Sequence, residues 1–260
     1  MAGDSCCCRT FDWGGKPAGT EKVYGNVTTY VTGHTSNKAV LVVHDLLGWE
    51  YVNLRLLADH YAREVGATVF IPDFFHGSKL AKGDVLSDDF DKDELDSFLK
   101  KNSPEKSVSE ALPLAENIRK KYKRLGAVGF GYGGWVVFML GRKGAVDCAS
   151  VAYPLFMEGY KHDEYKAPLQ ILAPEQDSEY TVELKKLTFD SFIRSNLDFQ
   201  YLNFPDTTHG SLAYDDPENR TERQSLVRAK IAVVRWLREF LVEKEIDVGK
   251  PSTSTSLSCV

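Results

Sequence analysis

Gly126-Ala127-Val128-Gly129-Phe130-Gly131-Tyr132-Gly133-Gly134-Trp135-Val136-Val137-Phe138-Met139-Leu140 is the stretch that decides the fold. A β-rich run leads in, glycines crowd a turn, and a run with helical character leads out. Strand, sharp turn and helix make the setting of a nucleophile elbow, in which a Ser or Cys stands exposed at the apex. Flanking glycines tolerate the strained backbone and let helix and strand approach closely. The apex residue, Gly131, has no side chain and so no attacking group. The same letters superficially match a dinucleotide-binding loop with Asp147 downstream. In that motif the acid ends the next strand, whereas Asp147 precedes the strand-like run 148–153. The elbow is the better fit. A glycine-rich turn without chemistry is the bland alternative.

Outward from this turn, the chain alternates strand-like and helix-like runs. Residues 23–32 read as an early strand or hairpin. Residues 39–43 and 68–71 are continuous apolar runs, as expected of strands buried on both faces. Residues 148–153, 169–173 and 199–204 read as further strands. Helical spacing marks 54–65, 110–122, 181–195 and 221–245, with a short helix around 93–100 inside a charged excursion over 77–106. Alternating elements of this kind predict an α/β fold with a mostly parallel central sheet flanked by helices. No repeat or interior linker is visible. One domain over 1–246 and a disordered Ser/Thr-rich tail over 247–260 are expected.

In parallel sheets, chemistry gathers beyond the carboxyl ends of the strands. The residues at those ends form a series. His44, Asp45, Leu46 and Trp49 follow the 39–43 run. Asp73, Phe75 and His76 follow 68–71. Tyr153 ends 148–153, Asp177 follows 169–173, and His209 and Ser211 follow 199–204. Elbow, acid and His appear in the order of an α/β-hydrolase triad. Each residue alone has an ordinary alternative. His209 could be an exposed loop histidine, Asp177 a helix cap, His76 and Tyr153 packing residues. The order of the three gives the joint reading its weight. The aromatic set Trp49, Phe75, Tyr132 and Tyr153 suggests a flat, unsaturated or aromatic small-molecule substrate.

Of the 260 residues, 43% are hydrophobic and 27% charged, with a formal charge of −5 and both signs interspersed. This fits one sizeable core and argues against a nucleic-acid groove or a membrane-binding face. No run is long enough to span a bilayer. The N-terminus lacks the apolar core of a signal peptide, so a cytoplasmic protein with reduced cysteines is expected. Cys6, Cys7 and Cys8 are consecutive and unaccompanied by a Cys-x-x-Cys pair, a poor arrangement for a tetrahedral metal. Neither a metal nor a cofactor is expected. A monomer or homodimer would both be compatible.

The chain resembles the dienelactone hydrolase family, particularly its fungal-type members, from near the N-terminus through the last helix. The resemblance rests on the stretches beginning at Gly25-Asn26-Val27, His44-Asp45-Leu46-Leu47-Gly48-Trp49, Asn53-Leu54-Arg55 and Pro72-Asp73-Phe74-Phe75-His76-Gly77, on the elbow, and on His209-Gly210. It implies an α/β-hydrolase fold and a site that opens lactones or esters of small metabolites, including those of secondary metabolism, with a Cys-Asp-His triad. By position, Asp177 becomes the acid and His209 the base. Asp45 falls where the family keeps a Glu beside the nucleophile. The backbone N–H groups of Leu46 and Tyr132 fall where it makes its oxyanion hole. Gly131 takes the cysteine's place, and Gly210-Ser211 departs from the family's Gly-Phe. Trp49, Phe75, His76, Tyr153 and Ser211 would then line the substrate. Three functions remain open: a non-covalent enzyme (isomerisation, elimination, cyclisation or water-mediated lactone or ester opening), an inactive small-molecule binder, and a Cys-dependent hydrolase disabled by an introduced Gly.

Overall fold

The computed structural model describes residues 13–34, 37–78, 80, 91–155, 165–214 and 218–241. The cysteines at 6–8, the tail at 247–260, and residues 79 and 81–90 of the charged excursion lie outside the described residues.

The early strand region is a hairpin of β1 (Thr20–Tyr24) and β2 (Val27–Thr32). Then come β3 (Lys38–Val43), α1 (Val52–Tyr61), β4 (Thr68–Pro72), α2 (Lys92–Lys101), α3 (Pro104–Arg119), β5 (Arg124–Phe130) and α4 (Tyr132–Lys143). The chain continues through β6 (Cys148–Ala152), β7 (Leu169–Gln176), α5 (Val182–Arg194), β8 (Phe199–Thr208), α6 (Ser211–Tyr214) and α7 (Arg220–Leu241). The eight strands form one sheet in the order β1-β2-β4-β3-β5-β6-β7-β8. Only the β1–β2 and β2–β4 pairings are antiparallel; β4 through β8 run parallel. The order reverses at β3, which places a crevice at the carboxyl ends of β3 and β5.

Period-two alternation divides the core. Val40, Val42, Val69, Ile71 and Val128 face α1, α6 and α7 on one side. Leu41, Val43, Phe70, Ala127 and Val151 face α2 to α5 on the other. Both sides of the central strands are therefore covered, which is why their sequences are continuous apolar runs.

Three elements differ from the expectations. Helix α3 begins at Pro104, six residues earlier than the apolar spacing suggests. Ser103 caps it by accepting a hydrogen bond from the Lys106 N–H, and Pro104 fits the first turn, where its missing N–H costs nothing. The expected 54–65 helix closes in a π-helical turn at Ala62–Gly66. The short helix α6 was not anticipated. Among the described residues, no helix is long and apolar enough to cross a membrane.

Candidate active site

The elbow is built as its sequence requires. Gly131 joins β5 to α4 with φ 47° and ψ −112°, outside the three regions that L-residues ordinarily occupy. Gly133 lets the first turn of α4 settle onto β3, since a Cβ there would stand 2.3 Å from the Val43 carbonyl oxygen. The chain thus has a sharp strand–turn–helix junction with no side chain at its apex. A Cβ on Gly131 would stand 3.2 Å from Asp45 Cβ and 3.2 Å from Tyr153 Cε2. Those two side chains wall the apex. Asp147 lies at the opposite end of the sheet, where it accepts from the Leu125 N–H and pairs with Arg119 and Arg124, so it has no place near a ligand on the glycine turn.

Asp177 and His209 follow the last rungs of β7 and β8. The His209 N–H donates to the Gln176 carbonyl, and Glu175 accepts from the Asp206 N–H, so the two strand ends are tied together. The Lys185 ammonium of α5 donates to the Pro174 and Glu175 carbonyls and fixes the end of β7. On this frame His209 Nδ1 lies 2.9 Å from Asp177 Oδ1. Asp177 also accepts from the Glu179 and Tyr180 N–H groups, as a helix-cap reading would have it. It therefore fixes the α5 approach and the imidazole together. Burial alone raises the Asp177 carboxyl. The hydrogen bond and charge of His209, with the two N–H donors, outweigh it and hold the group below the usual aspartate range. With Nδ1–H given to Asp177, the basic nitrogen of neutral His209 is Nε2.

Asp45, buried after β3, meets the same centre from the other side. Its Oδ1 accepts from the Leu47 N–H at 2.8 Å. Its Oδ2 accepts from Tyr214 OH and, at 3.5 Å, from Tyr153 OH. Burial pushes this carboxyl up to about 6, although Tyr214, the Leu47 N–H, His209 and Tyr153 all pull it down. The neighbouring His44 is wholly buried and held neutral, at about 4, by desolvation. Its Nε2 accepts from the Phe74 N–H and its Nδ1–H donates to the Asp45 carbonyl, so it serves the backbone. Tyr153 completes the group. Its ring lies 4.9 Å from that of His209, and its backbone is held at φ 38°, an outlier for a bulky residue.

Tyr214 escaped the sequence reading. Gly210 at φ 84° starts α6, and Ser211 Oγ donates to the Thr208 carbonyl, so the chain turns back and carries Tyr214 onto Asp45. The available signal was weak: a short Leu212-Ala213-Tyr214 run just after His209-Gly210.

Other expected site residues lie elsewhere. The aromatic set divides across the sheet. Trp49 and Tyr153 are on the α1/α7 side, and Phe75 and Tyr132 are in the opposite cluster. Phe75 packs edge-on against Phe98 and Tyr132. The Tyr132 hydroxyl donates to the Asn102 carbonyl and meets Ser107 Oγ at 2.8 Å, so its ring belongs to the core. Trp49 lies under the Arg55 guanidinium at 4.6 Å. His76 pairs with Glu110 of α3 at 2.9 Å, and the buried Ser211 closes its own turn. The four rings that suggested a flat substrate therefore do not pack as one group, because they follow different strands and settle on opposite sides of the sheet. Leu46 and Tyr132 still bracket the apex by backbone position, Leu46 next to Asp45 and Tyr132 as the first residue of α4. Among the described residues, no group of three His, Cys, Asp or Glu side chains is placed to hold a metal ion.

The geometry agrees with what the chain is similar to. The model of the dienelactone hydrolase family matches residues 27–241. Hydrolase tropI of Talaromyces stipitatus is 25% identical over 252 residues, covering 94% of this chain and 99% of that protein. A carboxymethylenebutenolidase homolog of Xenopus tropicalis is 26% identical over 254 residues, covering 93% and 100%. The crystal structure of a putative dienelactone hydrolase from Klebsiella pneumoniae superposes with a TM-score of 0.68 at 15% identity, over 82% of this chain and 93% of that one.

Proposed function

The chain belongs to the dienelactone hydrolase family, and from that premise we propose that it is an enzyme that dispenses with the covalent step, using His209 and Asp177 as a base-and-orienter pair on a small unsaturated lactone or ester. One observation carries this reading: the His209–Asp177 hydrogen bond is complete at 2.9 Å while the elbow apex is a glycine. A site that had merely decayed to a binder would have no need of an oriented imidazole. The basic Nε2 of His209 would take a proton from a water or from an acidic C–H of the substrate. The N-terminal end of the 12-residue helix α4 carries the positive end of a dipole, which favours negative charge developing on a substrate oxygen. Backbone N–H groups of Leu46 and Tyr132 would supply the donors. The name of the Xenopus relative directs the first trial to butenolides, and the fungal relative named hydrolase is compatible with the opening of an ester or lactone.

The test is turnover of a butenolide panel by wild type and two variants. His209→Ala is expected to lose about 10²–10⁴-fold, the usual worth of a general base. Asp177→Asn should lose at least about 10²-fold through the wrong imidazole tautomer. Unchanged consumption by a folded His209→Ala protein would overturn the reading.

A further inference from the structure

Asp45 is a buried carboxyl that a water-activating dyad does not use. His209 alone could accept a proton from water and pass it to a leaving group. Yet Asp45 is 7% exposed, forms one wall of the Gly131 apex, and is held by hydroxyls from two other elements, Tyr214 of α6 and Tyr153 after β6. Tyr153 spans the two acid–base groups, with its hydroxyl toward Asp45 and its ring edge against His209. The strain at Tyr153 and at Gly131 falls on the same few atoms, where stored strain commonly marks function.

Resting on the His209–Asp177 pair read above as proton-transfer machinery, with His209 here on the donating side, we propose that Asp45 is a second proton-transfer group facing His209 across the apex, and that the site relocates a proton within a β,γ-unsaturated lactone to give its conjugated isomer. The Asp45 carboxylate takes a proton from the carbon between carbonyl and alkene. The C–H electron pair enters a dienolate, whose oxygen lies toward the N-terminus of α4. Protonated His209, its charge supported by Asp177, delivers a proton from Nε2 to the far alkene carbon, where a new C–H bond forms. The alkene moves one place, and water is neither added nor lost. Loss of the Asp45 proton to solvent and uptake of one from solvent by His209 Nε2 reset the site. Tyr214 and Tyr153 are positioning residues that orient the carboxylate.

The groups facing Asp45 are His209, Tyr153 and Tyr214, with His44 on its own segment held neutral. The acid limb of the rate profile should therefore fall near 6. Tyr214 pulls the carboxyl down, so Tyr214→Phe should move that limb to higher pH.

α-Angelica lactone in deuterium oxide, followed by proton NMR, is the test. Wild type should form the conjugated isomer with deuterium at the methyl-bearing carbon. Asp45→Asn should lose this about 10²-fold or more, and Tyr214→Phe, which keeps the carboxyl but removes one hydroxyl that orients it, should turn over more slowly than wild type with the shifted limb. Unchanged lactone, or ring-opened keto acid with no conjugated isomer formed, would overturn the proposal, as would Asp45→Asn or Tyr214→Phe behaving as wild type. Ring opening that needs His209 but not Asp45 would sink the isomerase and keep the base reading. Isomerisation that survives His209→Ala would sink the base reading as well.

Discussion

At the scale of single residues, Asp45 shows burial and charge in direct opposition. Four donors or positive partners converge on its carboxyl, and burial still lifts it to about 6. A folded-state value above the unfolded 3.8 means that the native protein binds this proton more tightly. Its stabilising contribution is complete below about pH 4 and is lost as pH rises through about 6. A shift of that size is worth about 3 kcal/mol at most. Asp177, held low, titrates below that window, so its effect is confined to stronger acid. Asp45→Asn should therefore gain stability over wild type at pH 8 by about 1–3 kcal/mol, and gain much less at pH 4.5, in urea unfolding at the two values. An equal difference at both would show that the carboxyl is not displaced by its surroundings.

Among elements, the β5–α4 junction is the informative one. Its glycines declared a strand-turn-helix, and the turn has the strained backbone the letters required. The sequence could not disclose that Asp45 and Tyr153 close around the apex, because they come from loops 86 and 22 residues away from position 131. Long-range closure also hid Tyr214. Nothing in a four-residue helix advertises that Gly210 turns it back onto β3's end. The strands and the dyad were legible since each depends on local pattern or on chain order. The division of the four rings between the two sides of the sheet was not, since it depends on how distant elements pack. At the junction, Gly131→Ala should cost about 1–3 kcal/mol of stability and depress turnover, as its Cβ meets Asp45 and Tyr153 at 3.2 Å. Calorimetry showing wild-type stability would mean that both neighbours yield freely.

For the molecule as a whole, a sheet covered on both faces gathers five strand ends into one place. β3 brings Asp45, β5 Gly131, β6 Tyr153, β7 Asp177 and β8 His209. The rigid α/β frame supplies position, and the chemistry lies one or two residues beyond the end of each strand. The frame is that of the dienelactone hydrolase family, and the proposed function places proton transfer without an acyl-enzyme at its centre. Rapid-quench intact-mass spectrometry during turnover of a butenolide or activated ester tests this directly. The account predicts product formation with the protein mass unchanged at every time point. A transient mass increase equal to the acyl group, mapped to any Ser, Cys or Tyr of the chain, would contradict it.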